Sequence, residues 1–239
     1  MTAECASHGN RDATFVCQHL ASGTGLGFHW AVDPEEPDLV WPDAWCDACE
    51  DVRRREGEWN DRSEAFAGIK LVCAGCYEQA RERNWKQDAA AFGVLVADAM
   101  TYLQEQQNAL YTDFSLGRWQ RYHWDQETGQ LVFSADGHIR VIADIQFVGS
   151  VSTASNTWLW SWANPAFLPA VKQEVRRVRT YGAEHRYLKL VSACWPAEER
   201  DGWEMAAVAA FLLKAKGAYR SPHEHGFTFM VMTNVAWAH

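Results

Sequence analysis

The sequence has no long unbroken apolar run. Its longest stretches, such as Ala89 to Met100, are interrupted by Gly93 and Asp98. None approaches the ~18 residues a membrane-spanning helix requires, so no membrane segment is expected. The opening Met1-Thr2-Ala3-Glu4-Cys5 lacks the basic start and apolar core of a secretory signal, and the expected location is the cytoplasm. Positive charge is also scarce: 22 Lys and Arg stand against 31 Asp and Glu, for a net charge of −9. Nucleic-acid binding draws on Lys and Arg against phosphate, so this balance counts against a DNA or RNA binder. The deficit lies mainly in front. Residues 1–86 carry 16 acids and 9 bases, and the remainder 15 and 13. An acidic surface suits solubility or docking to a basic partner. Also missing are a P-loop, a G-x-G-x-x-G turn and a G-x-S-x-G elbow. No catalytic residue is assigned, and the reading leans away from an enzyme. What remains is a globular composition of 239 residues, 48% hydrophobic and 22% charged, consistent with one or two domains.

Cysteine, by contrast, is abundant and clustered. Six of seven lie between positions 5 and 76. Cys46-Asp-Ala-Cys49 and Cys73-Ala-Gly-Cys76 are two C-x-x-C knuckles, whose two-residue spacing lets both sulfurs face one ion from a tight turn. Cys5-Ala-Ser-His8 and Cys17-Gln-His19 add two Cys/His pairs. The eight candidates, Cys5, His8, Cys17, His19, Cys46, Cys49, Cys73 and Cys76, are the number that two four-coordinate zinc ions need. Adjacent pairs could share an ion, or alternate pairs could interleave. One ion on the two C-x-x-C knuckles alone is the alternative, and His29 is a competing ligand. Neither C-x-x-C has the strand–helix context of a redox motif. In a reducing compartment such pairs hold metal more often than they form disulfides. The surrounding segment is rich in turn formers, with Ser22-Gly-Thr-Gly25, Asp33-Pro-Glu-Glu-Pro37 and Trp41-Pro-Asp43. With little periodic apolar pattern, it would draw stability from metal. Full Cys/His coordination leaves no position for a catalytic water, so both Zn2+ ions are expected to be structural. Residues 1–86 are therefore read as a zinc-binding module and 87–239 as a second domain.

The second domain reads as α+β, an antiparallel sheet packed with helices. Asp88 to about Leu110 is helical, with Phe92, Leu95, Val96, Ala99, Leu103 and Leu110 near one face. Arg118–Trp124 and Gln130–Ser134 read as strands flanking the hairpin loop Asp125–Gly129. Ile139 to Phe147 alternates as a half-buried strand, Gly149 to Asn156 forms a turn, and Thr157–Ala163 is the next strand. Asn164-Pro165 signals a helix start, with Gly182 as its stop. Asp201-Gly-Trp-Glu204 resembles a capping box opening another helix, which Gly217 ends. Phe227–Trp237 closes the chain as a strand.

Trp158, Trp160 and Trp162 would share one strand face. They are either core between sheet and helices, or a ligand groove or partner-binding wall. His223-Glu-His225 is read as a loop. The basic helix positions Lys172, Arg176, Arg177 and Arg179 are read as a solvated face, Cys194 as a small buried residue, and Asp125, Glu127, Asp136 and Asp144 as turn and surface acids.

Residues 92–232 resemble a bacterial family of uncharacterised domains. The resemblance rests on Gly149-Ser150, Thr157-Trp-Leu-Trp-Ser-Trp-Ala-Asn164 and Ala218-Tyr-Arg-Ser-Pro222. The front is similar to a cysteine-rich leader of bacterial uncharacterised proteins, through Phe15-Val-Cys-Gln-His-Leu20, Asp43-Ala-Trp-Cys-Asp-Ala-Cys49 and Cys73-Ala-Gly-Cys-Tyr77. Neither likeness brings an activity. Domains of this size and acidity accompany bacterial toxins as immunity proteins, which is an analogy of neighbourhood alone. The expected function is a zinc-stabilised binding protein with a protein partner, such as an immunity protein neutralising a toxin. The alternatives are an enzyme with a Trp-lined pocket and a zinc-module adaptor for nucleic acid.

Overall fold

A computed structural model describes every residue except Pro34, Gln120, Gln126 and His239. The parts of the expected Asp33–Pro37 turn, Arg118–Trp124 strand and Asp125–Gly129 loop that fall on Pro34, Gln120 and Gln126 lie outside the described residues. The chain divides into two compact units, Met1–Gln87 and Asp88–His239, and the fold is α+β. No described helix is long and apolar enough to cross a membrane.

The first unit runs β1 (Thr2–Cys5), β2 (Gly9–Val16), α1 (Gln18–Ser22), β3 (His29–Trp30), β4 (Ala44–Trp45), α2 (Asp47–Glu56), α3 (Asp61–Ala67), β5 (Lys70–Cys73) and α4 (Ala74–Asn84). The β1–β2 hairpin turns at Gly9, whose φ of 68° suits glycine. Strand β2 continues as an antiparallel partner of β5, pairing Ala13 with Cys73 and Val16 with Lys70. At its end Val16 also pairs in parallel with Ala44 of β4. The core is small. Its fully buried large side chains are Val16, Leu20, Phe28 and Tyr77, and four cysteines are buried among them. Asn84, fully buried on α4, receives the Leu26 amide and donates to the Gly23 and Ala80 carbonyls, tying the Gly23–Leu26 loop down.

The second unit opens with α5 (Ala89–Asp113), capped by the Asp88 carboxylate on the Ala91 amide. Its buried residues Phe92, Leu95, Ala99, Leu103 and Leu110 follow the helical period, with Val96 half-buried beside them. Then come β6 (Arg121–Asp125), β7 (Gln130–Ala135), β8 (His138–Ser152), β9 (Thr157–Trp160), α6 (Pro169–Glu184), α7 (Leu188–Val191), β10 (Cys194–Pro196), α8 (Glu199–Leu213), β11 (Gly217–His223) and β12 (Gly226–Trp237). All strand pairs are antiparallel. Strand β8 is the spine. One edge pairs with β12 from Val141 to Ser152. The other carries β7 near its start and β9 near its end, so one long strand joins two short hairpin arms in a curled sheet.

Several boundaries differ from the sequence reading. Strand β8 continues to Ser152, and the turn shrinks to the residues before Thr157. Residues 116–118 form a 3-10 turn, so β6 begins only at Arg121. Strand β9 ends at Trp160. Trp162 therefore sits in a 3-10 turn, Ser161–Ala163, and does not share the strand face. Helix α6 starts at Pro169. Asn164 instead caps a tight turn, accepting from the Ala166 amide at 2.9 Å. Gly182 does not stop the helix but lies within it, where a Cβ would come 2.4 Å from Leu190 Cβ. The capping box of α8 joins Glu198 and Asp201, with Asp201 as its third helical residue, and Lys214 in the left-handed region ends that helix three residues before Gly217.

Trp158, Trp160 and Trp162 are fully buried. Trp158 meets Trp160 edge-on at 5.1 Å and Phe229 at 5.8 Å. A buried indole removes on the order of 200 Å2 from water, a gross contribution of about 5 kcal/mol. Trp160 Nε1 donates to the Lys189 carbonyl at 2.8 Å, and the Arg179 guanidinium lies 4.2 Å from the Trp162 ring. The indole N–H groups of Trp158 and Trp162 have no partner among the described residues. The ligand-groove or partner-wall alternative for these three residues is thus corrected: no indole face is open.

Candidate metal centres

The eight candidate ligands are brought together by two strand-to-helix junctions of similar design. In each, a cysteine at the end of a strand or directly after it precedes a helix, and the next cysteine follows three residues on in the first turn. Both C-x-x-C pairs therefore do lie in a strand–helix context, contrary to the sequence reading. Strand β5 ends at Cys73, and Cys76 lies in the first turn of α4. The Cys76 amide points back at Cys73 Sγ at 3.4 Å. Cys46 follows β4, and Cys49 lies in the first turn of α2. Helix N-termini favour thiolates through their unpaired N–H groups and dipole.

The pairs are nested. The first and fourth meet as Cys5, His8, Cys73 and Cys76, and the second and third as Cys17, His19, Cys46 and Cys49. Within each cluster the ligand atoms all lie within 4.8 Å of one another. The two C-x-x-C knuckles thus belong to different clusters, against the one-ion alternative. Nor do alternate pairs interleave. The outer cluster forms because β2 returns beside β1 and then pairs with β5, setting the β1–β2 turn against the start of α4. The inner cluster forms because β2 and β4 end side by side in parallel. Cys17 and Cys46 follow their last paired stretch, and the Cys17 amide donates to the Ala44 carbonyl at 2.9 Å.

The distances fit a tetrahedron around one ion. Bonds of ~2.3 Å to sulfur and ~2.05 Å to nitrogen imply edges of about 3.8 Å between sulfurs and about 3.6 Å between sulfur and nitrogen. In the outer cluster, Cys5 and Cys76 sulfurs lie 3.7 Å apart. His8 Nδ1 is 3.6, 3.5 and 3.6 Å from the sulfurs of Cys5, Cys73 and Cys76. In the inner cluster, Cys46 and Cys49 sulfurs are 3.7 Å apart and His19 Nδ1 is 3.3 Å from Cys49 Sγ. None of the six clustered cysteines is in a disulfide. Two Cys3His clusters could therefore hold two metal ions.

Both imidazoles present Nδ1 to the cluster. His8 Nε2 turns outward to the Gln79 side-chain amide at 3.3 Å, which fixes the ring. The ring lies against the first turn of α4, where a Cβ at Gly75 would come 2.6 Å from His8 Cγ. Only glycine admits the ring there. The ring of His19 packs 5.2 Å from Phe66.

Without a cation, the sulfurs in each cluster compete for protons. The Cys49 thiol, with neighbouring backbone amides, pulls Cys17 down to about 5. Backbone amides of Ser7 and His8 pull Cys5 down to about 6. Burial and then the sulfurs of Cys5 and Cys73 push Cys76 up to about 12, and Cys49 is driven up by Cys17 and burial. Cys17 and Cys5 are thus favoured as thiolates, while Cys46, Cys49 and Cys76 are pushed toward the protonated thiol. A divalent cation reverses this by favouring deprotonation of every sulfur.

The shell around the inner cluster is charged and paired. Glu50, next to Cys49 and 6% exposed, accepts from Trp45 Nε1 at 2.8 Å and from Arg53 and Arg54 at 2.8–2.9 Å. The Arg53 hydrogen bonds foremost hold its carboxyl down at about 2. His29 is not in either cluster. Its Nε2 lies 2.8 Å from Asp47 Oδ1, and Asp47 also meets Lys86 Nζ at 2.6 Å. The competing-ligand reading of His29 is corrected accordingly, since the Asp47 carboxylate occupies its ring nitrogen.

The remaining sequence candidates are not drawn into a site. His223 ends β11, and Glu224 and His225 form the exposed β11–β12 turn, the two rings 6.5 Å apart. Lys172 is buried, so that helix face is not wholly solvated, and Arg177 pairs with Glu174 at 2.9 Å. Cys194 is exposed on β10, contrary to the buried reading. Asp125 accepts from the Glu127 amide and Thr128 hydroxyl in its turn, and Asp144 accepts from Gln130 and Asn234. Sequence reasoning missed a cavity in the second unit, lined by Tyr122, Tyr219, Arg220 and Pro222 among others. The Ala218–Pro222 segment was the available signal for it.

No curated protein and no solved structure matches the chain. A family model does match over residues 93–235, a span that takes in the curled sheet, the buried tryptophans and the Ala218–Pro222 segment, and the chain belongs to that family of unknown function, DUF6882.

Proposed function

We propose that this is a zinc-stabilised binding protein whose two Zn2+ ions are structural. The observation that carries the reading is the geometry of the clusters: each offers four Cys/His donors on tetrahedral edges. Three thiolates and an imidazole suit Zn2+ better than hard, oxygen-seeking cations. Four protein donors leave no coordination position for substrate or water, so the ions hold the fold and do no chemistry. The small core of Met1–Gln87 explains why metal is needed there.

The partner we propose is a protein with a basic surface, in the cytoplasm. Residues 1–86, with 16 acids against 9 bases, would steer such a partner through complementary potential. An immunity protein that covers the basic active site of a bacterial toxin is the specific form of this reading. Affinity capture with the product of the adjacent gene tests it. Salt-sensitive binding and neutralisation are expected, and absence of both rejects the toxin form. The same charge disfavours the nucleic-acid adaptor. An enzymatic reading loses its Trp-lined pocket, because Trp158, Trp160 and Trp162 are core residues.

A further inference from the structure

We propose that Asp88–His239 carries a binding site for a small, neutral, flat aromatic molecule, in the cavity between α5 and strands β7, β11 and β12. The cavity measures about 450 Å3, within the range of small-molecule sites. That volume suits a two- or three-ring compound and is too small for a folded partner.

Its floor is apolar and buried. Leu110, Leu131, Phe133 and Met232 line it and are each buried within one apolar cluster. Its mouth is aromatic. Tyr122 and Tyr219 meet edge to face at 5.9 Å, and Tyr122 also lies 6.0 Å from Phe133. Tyr111 and Tyr122 are each 59% exposed, so an inserted ring would cover aromatic surface now facing water.

The charge of the lining selects a neutral ligand. Among the described lining residues it is Arg220 that carries charge, and its guanidinium is engaged by the Glu199 carboxylate and lies 4.3 Å from the Phe227 ring. A carboxylate, sulfonate or phosphate entering the cavity would lose water and meet a guanidinium whose charge Glu199 already balances. Burial, together with Tyr122, raises the Tyr219 hydroxyl above its ordinary value, so it remains a protonated donor at neutral pH. The residues Ala218, Tyr219, Arg220 and Pro222 all line this space, which gives the Ala218-Tyr-Arg-Ser-Pro222 motif a task that the metal centres do not.

The inference is independent of the zinc reading, because every lining residue lies in the second unit. The test is a fluorescence titration of the full chain with N-phenyl-1-naphthylamine, a neutral dye that brightens in apolar sites. Metal content is measured on the same samples. Saturable binding at one site per chain is expected. Tyr122→Ala and Tyr111→Ala, at positions 59% exposed, should each weaken it by roughly fivefold or more, in variants whose circular dichroism spectrum matches that of the parent. The related sulfonate, 1-anilinonaphthalene-8-sulfonate, should bind at least about tenfold more weakly. Unsaturable signal, unchanged affinity in both tyrosine variants, or equal affinity for the sulfonate would overturn the proposal.

Discussion

His8 Nδ1 lies 3.5 Å from Cys73 Sγ although the two residues are 65 positions apart in the chain. That closure defines the outer cluster and makes the ligand pairs nested. It leads to a direct genetic test. A double substitution within one cluster, Cys5→Ser with Cys73→Ser, should remove one metal ion and leave the other. A double substitution across clusters, Cys5→Ser with Cys17→Ser, should impair both. Metal content per chain distinguishes the two, and the same loss from both doubles would contradict nesting.

Gly75 tests the geometry without touching a ligand. Its missing Cβ leaves room for the His8 ring. Gly75→Ala should push that ring off the outer cluster and weaken its metal affinity by roughly tenfold or more, while the inner cluster keeps its ion. Competition with a graded chelator reads both sites. Unchanged affinity at the outer site would show that the close approach is not needed.

His29→Ala should leave the metal content unchanged, because the ring serves Asp47 and neither cluster. A small loss of stability, on the order of 1 kcal/mol or less, is expected for this partly exposed pair. Loss of an ion on this substitution would restore His29 as a ligand.

The membership of the two Cys/His clusters was legible in the sequence, for a physical reason. A candidate ligand is marked by residue type and by spacings of one or two residues, which local turns enforce. The pairing of Cys5 and His8 with Cys73 and Cys76 was not legible, because it depends on the β2–β5 ladder between distant segments. The second unit shows the same divide. The α5 stripe from Phe92 to Leu110 and the long β12 strand follow local periodicity. Gly182 looked like a helix stop, but tertiary packing against Leu190 set its identity. Trp162 broke from its strand because the chain turns at Ser161, whose hydroxyl donates to the Phe147 carbonyl at 2.7 Å. The tyrosine-lined cavity draws on several separate elements, and no single segment announces it.

Glu50 gives a pH signature apart from the cysteines. Its folded carboxyl sits at about 2, below the ordinary glutamate value. The stabilisation is therefore fully present above about pH 4.5 and is lost as pH falls toward about 2. Glu50→Gln should cost roughly 2–3 kcal/mol at neutral pH, by leaving two arginines without their carboxylate. The deficit should shrink across that acid window when stability is measured by denaturant titration. A deficit that stays constant with pH would show that the loss is one of packing.

The central claim is that two closed Cys3His centres hold structural zinc. Elemental analysis of the folded chain, purified without chelator, measures it most directly. The account predicts close to two zinc ions per chain, with loss of tertiary structure in Met1–Gln87 when a strong chelator removes them. A folded protein with no zinc, or with a single ion that no added zinc raises to two, would contradict it.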